Sequence, residues 1–423
     1  MGTPTQPDLV DIAARVAAVP ALAERLGGDP ARWEVREIGD GNVNFVFSVH
    51  GPDGAVCVKQ APPYVRVAGS SWPLTPHRAH YEHRALQEHR RHAPDHVPEP
   101  LHHDPRTHLQ ATEYLDGHVV LRQALITGPP PDRLGRQLGD YLARTLFHTS
   151  DLALPAHRKR ALVAEFEGNT EMCAIMEQMV FTEVYHPFHR NRWTSPHLDA
   201  DVRHLRADTA VLIAVARLKD RYLTSRQALL HGDLHTGSIM VSDHATHVID
   251  QEFACFGPIG FDIGNLLAHL LINYFATTPP TGGGETPAQT RLLETVETVW
   301  TAFATRFADL WRTTPTGDSY PAALFPAGTD TLHAERLRYL DEVFRDTTGF
   351  CAAEIVRRVI GFARPADFTT IEDAVHRATC ERAALRLART LLLDNHHDIH
   401  DVTKAARQSR PDTGRPTSTP PAN

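Results

Sequence analysis

The sequence predicts an α+β fold of two lobes: a small antiparallel β-sheet lobe with a helix, then a larger, mainly helical lobe. Three observations predict it. Short apolar runs alternate with turn residues between 33 and 60 and return at 108–113. Beyond residue 117, apolar residues recur mostly at helical spacing. Two polar, acid-bearing segments at 231–238 and 250–252 interrupt that helical part. A chain of 423 residues, 42% hydrophobic and 22% charged, is long enough for one large bilobal unit.

In chain order, residues 1–32 read as a helical preface, with Leu9, Ile12, Ala13 and Val16 at helical spacing. The first lobe spans 33–116. Its strands are expected at 33–38, 44–49 and 55–60, joined by the turns Gly39-Asp40-Gly41-Asn42 and 51–54. A helix over 75–92 opens with Thr75-Pro76 as cap and first position. A strand at 108–113 leads to the lobe junction Tyr114-Leu115-Asp116-Gly117. The second lobe spans 117–402, with helices at 134–148, 199–223, 292–311, 331–344, 350–362 and 371–393. The stretch 266–276 is a core helix, too short and too polar at His269 and Asn273 for a membrane span. Residues 277–286 form a Gly/Pro-rich loop, and 403–423 read as a disordered tail.

Composition narrows the function. With 43 basic against 51 acidic residues, the net charge of −8 supplies no basic field for nucleic acid or a membrane surface. The five cysteines lack Cys-x-x-Cys spacing, so reduced thiols and a cytoplasmic setting are expected. The 27 histidines show no zinc-finger spacing and read as surface residues.

The chemistry concentrates at 231–252. His231-Gly-Asp-Leu-His-Thr-Gly-Ser238 holds Asp233 in a polar loop, where it could orient or deprotonate a hydroxyl. Asp250 and Glu252 follow an apolar run; on a strand, residues i and i+2 share a side, so both could hold one Mg²⁺. A base on one loop with metal-holding acids on the next is the layout of phosphoryl transfer from ATP. Lys59, ending the third strand, can reach nucleotide phosphates, and Glu82 in the next helix could pair with it. The turn with Asn42 and Asn44 could lay N–H groups over phosphates. Glu113 to Leu115, at the junction, could offer backbone groups to adenine. Ser238 stands where a protein kinase has a metal-binding asparagine, and Asp262 reads as a tie for the catalytic loop. For Arg357 and Arg358, helical periodicity alone favours a solvent face, opposite Ile355, Val356, Val359 and Ile360.

Together these residues resemble the S-methyl-5-thioribose kinase family, in the aminoglycoside-phosphotransferase and choline-kinase branch of the protein-kinase-like fold. The resemblance rests on Ile38-Gly-Asp-Gly-Asn-Val-Asn44, Val58-Lys-Gln60, Tyr64-Val-Arg66, Ser71-Trp-Pro-Leu74, the 231–238 loop, Asp250 to Glu252, 257–264 and the twin Arg357-Arg358. It spans residues 8–400. It implies ATP- and Mg²⁺-dependent phosphorylation of the C1 hydroxyl of 5-methylthioribose in methionine salvage, by a homodimer. Carried over, Asn42, Lys59, Glu113, Tyr114, Leu115 and Gln251 serve the nucleotide, and Asp250 and Glu252 serve the metal. Asp233 is the base and a substrate contact, with Trp72, Arg357 and Arg358 also on the substrate. Gln251, Cys255, Phe256 and His269 depart from the family pattern without removing a charged catalytic group. They leave open another 5-substituted ribose, such as 5-deoxyribose, as acceptor. Two further readings are a kinase for an aminoglycoside, choline or homoserine, which paired arginines disfavour, and a non-catalytic nucleotide-binding scaffold.

Overall fold

The computed structural model describes residues 9–38, 43–279, 284–326 and 331–411. Helices α1 (Leu9–Ala17) and α2 (Pro20–Leu26) precede a five-stranded antiparallel sheet. Its strands are β1 (Glu34–Glu37), β2 (Phe45–His50), β3 (Ala55–Gln60), β4 (Pro100–Asp104) and β5 (Leu109–Glu113), in the order β1-β2-β3-β5-β4. The helical preface is part of this lobe, because Ile12, Val16, Leu22 and Leu26 share one apolar core with Phe47, Val49, Val56, Val58 and Ala111 of the sheet. Helix α3 (Arg78–His92) packs beside the sheet. It begins three residues later than expected: Thr75 Oγ1 accepts from His77 N in a turn that precedes the helix.

The second lobe opens with β6 (Val119–Val120), α4 (Leu121–Thr127), α5 (Leu134–His148), α6 (Ala156–Phe166) and α7 (Thr170–Phe181). The expected helix 199–223 is two, α8 (Asp199–Ala207) and α9 (Thr209–Thr224), because Asp208 turns extended and its carboxylate caps Ala210 N and Val211 N. The short strands β7 (Ala228–Leu229), β8 (Ile239–Val241), β9 (Thr246–Val248) and β10 (Phe256–Gly257) frame the polar segment 231–252, with β6-β8-β9 and β10-β7 as small sheets.

Helix α10 (Gly260–Ala276) is buried on every side, as its apolar composition requires. No helix among the described residues is long and apolar enough to cross a membrane. Helix α11 (Pro287–Thr313) starts at a Thr286 capping box, earlier than the expected 292, directly after the expected loop, of which 280–283 lie outside the described residues. The two helices expected at 331–344 and 350–362 are one, α12 (His333–Ile360). Thr347, Thr348 and Gly349, poor helix formers, are buried in its middle, and tertiary packing overrides their propensity. After α13 (Ala366–Thr369) and α14 (Ala374–Leu393) comes α15 (Ile399–Gln408), which takes in 403–408, expected to be disordered, and buries Val402, Ala405 and Ala406. The rest of that tail, 412–423, lies outside the described residues.

Candidate active site

The loop 231–238 leaves β7 and is fixed by its backbone. Asp262, at the start of α10, accepts from His231 N at 2.6 Å and Gly232 N at 3.0 Å. His231 donates from Nε2 to the Ile249 carbonyl at 2.8 Å, which leaves Nδ1 to accept from Asp233 N at 3.3 Å. Gly232 has φ +87°, and a Cβ there would lie 2.1 Å from the Phe253 carbonyl oxygen. Glycine is therefore required where the loop crosses the acidic segment.

Asp233 is half-buried and faces α12. Its Oδ1 accepts from Arg357 Nη1 at 3.2 Å and Arg358 Nη2 at 2.9 Å. Oδ2 lies 3.5 Å from His235 Nε2 and is the freer oxygen. Burial alone would raise its pKa, but Arg357 and Arg358 hold the carboxyl well below its ordinary range. The arginines are in turn held by Glu354, one turn earlier on α12. Arg358 Nε reaches Glu354 Oε1 at 2.5 Å, and Arg357 Nη1 reaches Oε2 at 3.1 Å. His269 on α10 is 3.2 Å from Glu354 Oε1, and burial lowers its pKa to about 3. The expected solvent face does not exist: Arg357 and Arg358 are 4% and 5% exposed, because α12 is enclosed throughout this stretch.

Across the cleft, Lys59 on β3 pairs with Glu82 on α3 at 2.8 Å and contacts Asp250 closely. Burial would lower the Lys59 pKa, but Asp250 and Glu82 raise it well above its ordinary value, so it stays charged. Asp250 and Glu252 do not share a strand, since β9 ends at Val248. Their convergence comes from a left-handed turn, with Asp250 at φ +73°. Glu82, Asp250 and Glu252 place carboxylate oxygens within 4.8 Å of one another, an all-oxygen set suited to a hard divalent cation. Glu252 is fixed by Asn44 Nδ2 at 2.7 Å, and Arg78 holds Asn44 Oδ1 at 2.7 Å.

Burial pushes the Glu252 carboxyl up from 4.5 to about 7, partly offset by Lys59. A carboxyl whose folded pKa is raised destabilises the cation-free protein as pH climbs through that window. A bound cation relieves this most at the alkaline end. Adding Mg²⁺ should therefore raise the thermal midpoint more at about pH 8 than at about pH 5.5. Equal rises by scanning fluorimetry would count against Glu252 as a ligand.

The profile of the phosphotransferase enzyme family, APH, matches residues 34–293. The chain is 41% identical over 394 residues to methylthioribose kinase 1 of Oryza sativa subsp. japonica, covering 91% of this chain and 90% of that protein. The chain belongs to the methylthioribose kinase family. A second member, methylthioribose kinase of Escherichia coli O45:K1 (strain S88 / ExPEC), is 40% identical over 371 residues, covering 87% of this chain and 88% of that one. Among solved structures, Plasmodium vivax ethanolamine kinase covers 92% of this chain and 97% of its own, at 12% identity and a TM-score of 0.46, too remote to argue from.

For this methylthioribose kinase family member, the structure brings Asp233, Arg357 and Arg358 into one cluster and Lys59, Asp250 and Glu252 into another. Trp72 lies beside the end of α12, its ring 5.8 Å from Phe362 and covered by the Arg190 guanidinium at 4.3 Å. Glu113 ends β5 and turns its carboxylate to Glu99 N at 3.1 Å, while its own N–H donates to the Glu99 carbonyl at 2.9 Å. Tyr114 packs edge-on against His50 at 4.8 Å. Gln251 departs from its expected nucleotide role: it is fully buried and donates to the Val248 carbonyl at 3.2 Å. Ser238 Oγ accepts from His235 N at 3.0 Å and donates to the His235 carbonyl at 2.9 Å, so it serves the loop. Asn42 lies outside the described residues. Sequence reasoning missed Arg78 and Glu354. The only signal was an acid three and four residues before the twin arginines, at spacings that place side chains together on a helix.

Proposed function

We propose that this protein transfers the γ-phosphoryl group of ATP to the C1 hydroxyl of S-methyl-5-thioribose, giving S-methyl-5-thio-α-D-ribose 1-phosphate. The carrying observation is Asp233 gripped by the twin arginines. It is a half-buried carboxylate with one oxygen neutralised and the other, Oδ2, open to a hydroxyl. Kinship at 41% identity with a protein named methylthioribose kinase supports the acceptor.

In this reading Oδ2 orients the C1 hydroxyl and takes its proton as the phosphoryl group transfers. Arg357 and Arg358 fix that carboxylate and stabilise negative charge gathering on the acceptor side. Lys59, held by Glu82, binds the nucleotide phosphates, and backbone at 113–115 reads the adenine. Mg²⁺, held by Asp250 and Glu252 with Glu82 nearby, would offset phosphate charge. Two guanidinium groups on the acceptor side disfavour a cationic acceptor such as choline or an aminoglycoside. A homodimer and a cytoplasmic, methionine-salvage setting are the family's implication, and light scattering tests the first.

The test is ADP release with Mg²⁺-ATP and, in parallel, 5-methylthioribose, 5-deoxyribose, ribose, choline and kanamycin. Turnover on methylthioribose far above the others is expected. Activity confined to choline or kanamycin would refute the acceptor assignment.

A further inference from the structure

A third arginine lies against the catalytic loop, and neither the motifs nor the mechanism uses it. Arg122 sits at the start of α4, where its backbone N–H donates to the Thr236 carbonyl at 2.9 Å. Its guanidinium runs back along the loop. A Cβ on Gly237 would come within 2.9 Å of Arg122 Nη1 and 2.8 Å of His235 Cε1, so the glycine makes room for both groups. The guanidinium is close enough to Arg358, Asp233 and Glu354 for their charges to act on it, and burial lowers its pKa ahead of those effects.

The side chain is poorly satisfied for so buried a cation. Nε and Nη2 are sealed from solvent with no hydrogen-bond partner among the described residues. The nearest acid, Asp367 Oδ2, is 3.5 Å from Nε and has no hydrogen-bond partner either. The other Asp367 oxygen accepts from Asn273 Nδ2 at 2.8 Å. Nη1 makes no hydrogen bond among the described residues, and about a fifth of the side chain, 21%, stays open. A purely structural arginine would satisfy more of its five donors, because a buried charge lacking partners is costly.

We infer that Arg122 is a specificity-determining residue of the acceptor site, donating from the open edge of its guanidinium to the vicinal ring hydroxyls of the pentose. The inference rests on the acceptor proposed above. The open edge is Nη1, whose two N–H groups point in fixed directions within the guanidinium plane toward adjacent hydroxyl oxygens, whereas an ammonium meets them as a point charge. Asp233 then handles the reacting hydroxyl while Arg122 reads its neighbours, which separates chemistry, on the 231–238 loop, from sugar recognition, on α4.

The experiment is steady-state kinetics of wild type, Arg122→Lys and Arg122→Gln with 5-methylthioribose and with its 2-deoxy and 3-deoxy analogues. Removing a charged donor to a substrate hydroxyl should raise KM for the sugar ~10-fold or more, with KM for ATP within ~2-fold. The penalty that wild type shows for a deoxy analogue should collapse in both variants, which a merely structural role would not produce. Unchanged sugar KM in both variants, or a deoxy penalty equal to that of wild type, overturns the inference. If Arg122→Gln does not fold, Arg122→Lys, which keeps the charge beside Asp367, still decides it. If wild type phosphorylates a different pentose, the acceptor proposal fails by itself, and the same comparison on that pentose tests Arg122.

Discussion

Replacing Asp233 with asparagine should lower kcat by ~10³-fold while leaving ATP affinity within ~2-fold, since Lys59, proposed to bind the nucleotide, lies in the separate cluster with Glu82, Asp250 and Glu252. The reason is local. Two guanidinium groups already claim Oδ1, so the acceptor hydroxyl is left with Oδ2, and an amide nitrogen placed there would present hydrogens instead of a lone pair. The same arginines keep the carboxyl ionised far below its ordinary range. A group so acidic is a weak base in the ground state. It can take the proton only late, once bond formation to phosphorus has acidified the hydroxyl, as a loose transition state allows. Orientation then carries much of its effect. Asp233→Asn, whose carbonyl oxygen can still accept from the twin arginines and hold them in place, should retain more turnover than Asp233→Ala. Ionisation of Asp233 should also leave no acid limb in kcat above about pH 5. Near-wild-type turnover in Asp233→Asn would remove Asp233 from the mechanism.

The sequence made some of this site readable and hid the rest for physical reasons. The loop 231–238 and the acids at 250 and 252 are contiguous groups of unusual chemistry, so spacing alone pointed to them. The reason first given for the acids was wrong in detail: they meet through the left-handed turn at Asp250, not along a strand. Glu82, read as a possible partner of Lys59, proves also to be the third acid of the cluster. The arginines were misplaced by periodicity because that argument assumes one wet face, and α12 has none over 347–360. Its continuity through 345–349 was likewise invisible, since propensity there favours a break and the packing of Thr347 and Gly349 against other elements supplies what propensity lacks. Arg122 and Arg78 act through partners far away in the chain, which no window of sequence shows, and Glu354 offered only its helical spacing from the twin arginines.

Glu354→Gln is the second large effect, and it should appear in stability and rate together. The carboxylate is fully buried, with Arg357, Arg358 and His269 around it. Burial alone would raise its pKa, but Arg357 and Arg358 hold it well below the ordinary 4.5. A carboxyl whose folded pKa is depressed contributes stability that is present above its unfolded pKa and lost as pH falls through the folded one. The wild type should therefore lose stability progressively below about pH 4.5, and the glutamine variant should show less of that acid dependence. At neutral pH the variant leaves two buried guanidinium groups sharing one carboxylate, Asp233, and should lose about 3 kcal/mol in urea unfolding. Freed from Glu354, the arginines can draw Asp233 away from the acceptor, and a displacement of that kind costs ~10²-fold in kcat. Because both acids bind the same arginines, the double variant Asp233→Asn/Glu354→Gln should lose much less activity than the product of the single losses. Multiplicative losses would mean that Glu354 acts on turnover by a route other than the twin arginines.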